Sequence, residues 1–155
     1  MKNKTKKNIW LIKISEPVAM NKEERFFRMR IFADVLSKNF NTTYFTSNFE
    51  HNTKSFLFKN RKQIRVNPNL KIIFTKAIKY NKNLSITRLV SHFLSTYRIY
   101  SEMQRLDKPD LVICAYPIPE LVLATILYSK KNNTKFIVDY RDLWPETNFE
   151  SIHRI

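Results

Sequence analysis

Not one glycine occurs in these 155 residues, where average usage would supply about 11. Phosphate cradles of the P-loop and dinucleotide-fingerprint types need glycine for positive φ or for close backbone approach, so neither is open to this chain. Tight turns must fall to Asn, Pro and Asp, and Asn81-Lys82-Asn83 and Asn132-Asn133 supply such stretches.

Between these turns, strand-length apolar runs alternate with helical patterns. Asn8–Ile14 (NIWLIKI) is nearly continuous in apolar residues, as a central parallel strand is. Asp110–Cys114 (DLVIC) and Lys135–Asp139 (KFIVD) are of the same kind. Thr42–Thr46 is β-branched and aromatic, and Gln63–Val66 and Leu70–Phe74 are extended on either side of the turn signal Asn67-Pro68-Asn69. Ser47–Asn60 reads as a loop.

Three helices are predicted. The first is capped by Asn21, with Glu24 as the return half of a capping box and Glu23 beside it in the first turn. Its core stripe is Phe27, Ile31 and Val35, widened by Phe32 and Leu36. The second, Ser85–Leu106, has Ser85 as its cap. Ile86, Leu89, Val90, Phe93, Leu94, Tyr97 and Tyr100 are the face expected to dock on the sheet, where a core needs it; a membrane-lying helix is the alternative, since aromatics and cations alternate here. The third opens on Pro119, is apolar almost all round over Leu121–Tyr128, and ends at Asn instead of Gly. Strand–helix–strand units imply right-handed crossovers. The fold class is therefore α/β: one domain with a Rossmann-like open parallel sheet flanked by helices. Thr147–Ile155 reads as the start of a further element, so the chain is expected to be part of something larger.

Charge narrows the partners. Lys and Arg number 28 against 13 Asp and Glu, a formal net charge of +15, which favours polyanions such as nucleic acid, anionic lipid or phosphorylated substrates. A merely solvating Lys-rich surface is the plainer alternative. The single Cys114 rules out a disulfide framework and fits a reducing, cytoplasmic compartment. No apolar run approaches the ~20 residues of a spanning helix, so any membrane contact would be peripheral. No Cys/His zinc spacing and no serine nucleophile elbow occurs.

The densest chemistry lies in Lys135–Glu146 (KFIVDYRDLWPE), where an apolar strand breaks into Asp139, Arg141, Asp142 and Glu146 around Trp144-Pro145. Open α/β sheets bind ligands beyond the carboxyl ends of their strands. Glu16 follows the first such strand, and Arg25 and Arg28 share a face of the first helix. His51 and Lys54 lie in the Ser47–Asn60 loop, and Arg88 and His92 stand four apart on a helix flank. A structural ion network at the strand exit, and an inert loop histidine, are the plain counter-readings.

Five segments in order resemble the N-terminal domain of retaining GT-B glycosyltransferases of family four, above all the bacterial branch that builds O-antigen and capsular polysaccharide. They are the Glu16-Pro17 loop with Arg25 and Arg28, Phe45–Lys54, Tyr80–His92, Pro109–Leu121 and Val138–Glu146, with RDLWPE the most specific. The resemblance implies the N-terminal half of a GT-B fold, which mostly binds the acceptor, while a C-terminal domain in cis or trans binds a nucleotide-sugar co-substrate. It implies transfer to a glycan acceptor, often linked to a polyprenyl diphosphate, beside an anionic membrane surface and without a metal or other cofactor. Asp139, Asp142 and His51 would be the catalytic residues, with Glu16, Arg25, Arg28, Lys54, Arg88 and Arg141 on acceptor or phosphate. Asn39–Asn41 and Val18–Asn21 stand where the family tends to have Gly, and Ala115-Tyr116 where it has a small polar residue before Pro117. The alternatives are a basic nucleic-acid-binding module, which lacks an RNA-reading aromatic sheet motif, and an inactive fragment.

Overall fold

The computed structural model describes residues 6–20, 23–82 and 85–140. In chain order the elements are β1 (Asn8–Ile12), α1 (Arg28–Ser37), β2 (Asn41–Ser47), β3 (Phe49–Glu50), β4 (Ser55–Phe56), β5 (Lys62–Asn67), β6 (Leu70–Thr75), α2 (Ile86–Gln104), β7 (Leu111–Ala115), α3 (Pro119–Lys131) and β8 (Lys135–Asp139). Six strands form one sheet in the order β5-β6-β2-β1-β7-β8. All pairings from β6 across to β8 are parallel. The Rossmann-like α/β class is thus borne out, with one amendment: the edge strand β5 runs antiparallel to β6, because a short turn at 68–69 returns the chain directly. The predicted loop Ser47–Asn60 also contains a small antiparallel hairpin, β3–β4.

The apolar runs produce this sheet because each central strand is covered on both faces. Trp10 and Ile12 point into one core with Phe45, Ile99, Met103, Leu121 and Tyr128, so α2 and α3 cover that face. Leu11 points into the other, with Met29, Ala33, Tyr44, Ile72 and Phe74, beneath α1. Trp10 makes ring contacts with Phe45 at 5.1 Å and Tyr128 at 5.4 Å. β1 is shorter than the predicted Asn8–Ile14, yet the Lys13 N–H still donates to the Phe45 carbonyl at 3.1 Å.

Two helix predictions need correction. α1 starts at Arg28, and no acidic residue lies in its first turn. Asn21 lies outside the described residues, and Glu24 instead accepts from the Met20 N–H at 2.9 Å. Glu16, far back in sequence, holds the amino end: its carboxylate accepts from the buried Met29 N–H at 3.0 Å. Starting there, the helix turns Met29, Arg30, Ala33 and Ser37 inward and leaves Ile31 and Val35 exposed. The buried Arg30 donates to the Ala19 carbonyl, pairs with Asp34 and stacks on Phe26 at 4.8 Å.

α2 has the predicted cap, Ser85 Oγ accepting from the Arg88 N–H, and ends at Gln104, two residues before the predicted Leu106. Its orientation is the reverse of that predicted. Ile86, Leu89, Val90, Phe93 and Tyr97 are exposed, while Ser91, His92, Ser95, Thr96, Ile99, Glu102 and Met103 are buried. Only Ile99 and Met103 of the buried set join the apolar core. Polar partners hold the rest of that face: Ser91 Oγ donates to the Ile78 carbonyl at 2.8 Å and accepts from its N–H. The Glu102 carboxylate takes two bonds of 2.7 Å from the Arg61 guanidinium. No helix among the described residues is long and apolar enough to cross a membrane.

Candidate functional site

The carboxyl ends of the parallel strands form one rim. The hairpin β3–β4 follows β2 there, residues 76–82 follow β6, and residues 116–118 follow β7. Asn48 fastens the first two segments together. It is fully buried; its side chain donates to the Phe58 carbonyl at 2.6 Å and accepts from the Ala77 N–H at 2.8 Å. Its backbone N–H donates to the Thr75 carbonyl at 2.8 Å. A small separate core of Phe49, Ala77 and Tyr80 sits beneath the hairpin, with the Phe49 and Tyr80 rings 4.8 Å apart.

On this support His51, Lys54, Tyr80, Arg88, His92 and Glu120 converge. The His51 Nδ1 lies 2.8 Å from the Tyr80 hydroxyl and 3.2 Å from the Lys54 ammonium. The Lys54 ammonium can only donate, so its contact favours an accepting Nδ1, while the direction of the Tyr80 contact depends on the ring tautomer. With Nδ1 accepting, the neutral ring carries its proton on Nε2 and offers a donor there. Partial burial, then the charges of Lys54, Arg88 and His92, hold its pKa below 6.5. Lys54 also lies over the Tyr80 ring at 4.9 Å, and burial followed by the Arg88 charge lowers its own pKa. Tyr80 meets His92 edge to face at 6.1 Å. His92 Nδ1 stands 3.5 Å from Glu120 Oε1, and its buried Nε2 has no hydrogen-bond partner among the described residues. Burial pushes the Glu120 carboxyl up. Hydrogen bonds from His92 and its own backbone, with the His92 and Arg88 charges, outweigh that, and it ends below the usual carboxylate range.

A second charged group lies farther along the rim. Arg28, at the start of α1, reaches Asp139 at the end of β8 across 3.4 Å. Tyr116 and Tyr140 stack face to face, 4.4 Å apart, and the Lys13 ammonium donates to the Tyr116 carbonyl at 3.5 Å. Ser15, on the exit from β1, has φ 66°. β1 and β7 are where the strand order reverses, the usual ligand position in such a sheet.

The candidate residues thus separate. His51, Lys54 and Arg88 come together. Arg28 and Asp139 pair elsewhere on the rim, and Arg25 lies over the Phe27 ring at 5.5 Å. Glu16 stands at the α1 terminus, where its carboxylate accepts from the buried Met29 N–H. Arg141 and Asp142 lie outside the described residues, as do Trp144, Pro145 and Glu146. Tyr80, Glu120 and Asn48 were not among the predicted site residues; each lies in a segment quoted for the resemblance, and Glu120, one residue after the helix-opening Pro119, read as a dipole partner. No group of three potential metal ligands occurs among the described residues. A cavity of about 330 Å³ lies at the opposite end of the sheet, beside Asn8, Trp10, Asn41, Arg65, Lys71 and Asp107. It is remote from the strand exits and holds none of the predicted residues.

The arrangement is a set of hydrogen-bond donors and cations on a rigid support: the His51 Nε2–H, the Lys54 ammonium and the Arg88 guanidinium, with Glu120 as counter-charge. Such a set suits an oxyanion, because several charge-assisted bonds converge on it. No family model matches the chain, and no curated protein matches it either.

Proposed function

We propose that this chain holds the acceptor in a glycosyl transfer, as the acceptor-side half of a two-domain glycosyltransferase that takes its sugar from a nucleotide-sugar bound by a second domain. The acceptor is a glycan carrying a phosphate or diphosphate, of the polyprenyl-diphosphate-linked kind used in surface polysaccharide synthesis. That chemistry puts the protein at the cytoplasmic face of a membrane. The observation that carries the proposal is the convergence of His51, Lys54 and Arg88 at the strand exits.

Transfer from a sugar diphosphate develops positive charge at the anomeric carbon and negative charge on the departing phosphate. On the acceptor side, Lys54 and Arg88 neutralise the acceptor's phosphate, and the His51 N–H orients one of its oxygens. Asp139, paired with Arg28, ends β8 on the same rim and is the carboxylate assigned to a sugar hydroxyl. Asp142 and Arg141, which follow it in the chain and lie outside the described residues, are proposed for the acceptor side on the sequence resemblance.

The test is calorimetric titration with a short-chain prenyl-diphosphate glycoside and with the matching glycoside lacking phosphate. Binding of the first alone, weakened at least tenfold (about 1.4 kcal/mol) by Lys54→Ala or Arg88→Ala, is the expected result. Equal binding of both ligands, or binding unchanged by either substitution, overturns the proposal.

A further inference from the structure

The outer face of α2 has no partner among the described residues. Ile86 is 79% exposed, Leu89 56%, Val90 43%, Phe93 61% and Tyr97 68%. Their spacing, i, i+3, i+4, i+7 and i+11, puts all five on one stripe. The orientation is fixed from within. Ile99 and Met103 are in the core, Ser91 bonds Ile78 in both directions, and Glu102 is held by Arg61. The helix cannot turn this stripe inward without breaking those contacts. A contiguous apolar stripe left on a surface marks an interaction site.

Charge selects the partner. Residues 76–105 hold six cations (Lys76, Lys79, Lys82, Arg88, Arg98 and Arg105) and one carboxylate, Glu102. Glu102 is buried against Arg61, with Arg105 3.6 Å away. Lys76, Lys79 and Lys82 are exposed on the segment leading into the helix. Apolar and aromatic side chains on one face with lysines at its border are the signature of a helix lying in a lipid interface. Basic residues there gain from anionic headgroups. A second copy would set two cationic borders against each other, which disfavours it.

We infer that α2 lies on an anionic phospholipid bilayer, its Ile86–Leu89–Val90–Phe93–Tyr97 face in the acyl boundary and Lys76, Lys79 and Lys82 at the headgroups. The proposed function supplies the reason for a bilayer nearby; the surface itself rests on residues separate from the His51 cluster. It gives that cluster an address, since α2 carries both the lipid face and Arg88.

The experiment is flotation of the full chain with vesicles of phosphatidylcholine, with and without phosphatidylglycerol, containing no glycan lipid. Co-flotation with the anionic vesicles alone is expected. A Leu89→Gln/Phe93→Gln variant, whose circular dichroism and thermal midpoint should match the parent, should weaken binding about tenfold or more. Lys54→Ala, which impairs acceptor binding under the proposed function, should float as the parent does, so the two readings fail separately. In a Phe93→Trp variant the indole emission should move to the blue on adding anionic vesicles. Equal flotation of the glutamine variant overturns the inference. So does an indole already shielded in buffer, which would mean that another part of this chain or a second copy covers the face.

Discussion

The two charged groups on the strand-exit rim are built differently. The His51–Lys54–Tyr80 cluster stands on its own small core and is tied down by Asn48, fully buried and bonded to three segments. The Arg28–Asp139 pair joins a half-exposed arginine to a carboxylate across 3.4 Å. The pair is exposed on one side only, because the Asp139 side chain is 11% exposed. The first group is a preorganised site on its own support, whereas the second joins the start of α1 to the end of β8 through one long ion pair. Charge density in the sequence pointed the other way, toward Asp139 and its neighbours, because charge can be counted along a chain and support cannot.

Four substitutions measure this difference. Asn48→Ala removes two buried side-chain bonds and should cost about 2–4 kcal/mol in urea unfolding. It should also let the His51 pKa rise toward 6.5, read by NMR titration. An unchanged His51 titration would separate the cluster from its support. Glu102→Gln, which weakens the bidentate contact with Arg61, should cost about 1–2 kcal/mol. The hydrogen bond from Arg61 outweighs burial and holds the Glu102 carboxyl below the usual range. Its contribution is therefore complete above the ordinary carboxylate pKa and is lost as pH falls through the lowered folded value. The variant's deficit should shrink in acid over that window.

Lys54→Gly cuts both ways. Lys54 sits at φ 53°, so glycine should relieve strain of about 1 kcal/mol and raise the thermal midpoint. It should also weaken acceptor binding and raise the His51 pKa, since Lys54 is one cause of its depression. His51 itself gives stability that rises with pH between its lowered folded pKa and 6.5, because the unfolded chain binds that proton more readily. Arg28→Ala should change stability least, by about 0.5 kcal/mol or less. A larger loss would show that the second group also supports the fold.

Much of the fold was legible because it rests on continuous apolar runs. Asn8–Ile14, Thr42–Thr46, Leu70–Phe74, Asp110–Cys114 and Lys135–Asp139 all became neighbouring parallel strands. The helix faces were not legible. Periodicity identifies an apolar stripe, but not which side of the helix the sheet will take. In α2 the sheet took the side carrying Ser91, His92, Glu102, Ile99 and Met103. Its polar members found partners at Ile78, Glu120 and Arg61, residues 13 to 41 positions away in sequence. In α1 a distant carboxylate, Glu16, fixed the start and with it the rotation. Of the site, His51, Lys54 and Arg88 were visible as residue types. Their meeting was not, because it depends on Tyr80 arriving from beyond β6 and on Asn48, whose bonds are long-range.

The antiparallel edge strand β5 has a consequence for how the protein behaves at high concentration. Its outward groups include Lys62, Gln63 and Arg65, and its pairing with β6 slips register between Arg65 and Asn67. A charged, irregular edge is a poor template for a strand from another chain. On that side the sheet ends in a border that discourages fibril-like growth, so a basic protein rich in Ile and Phe can carry a wide β-sheet with that flank guarded against self-association.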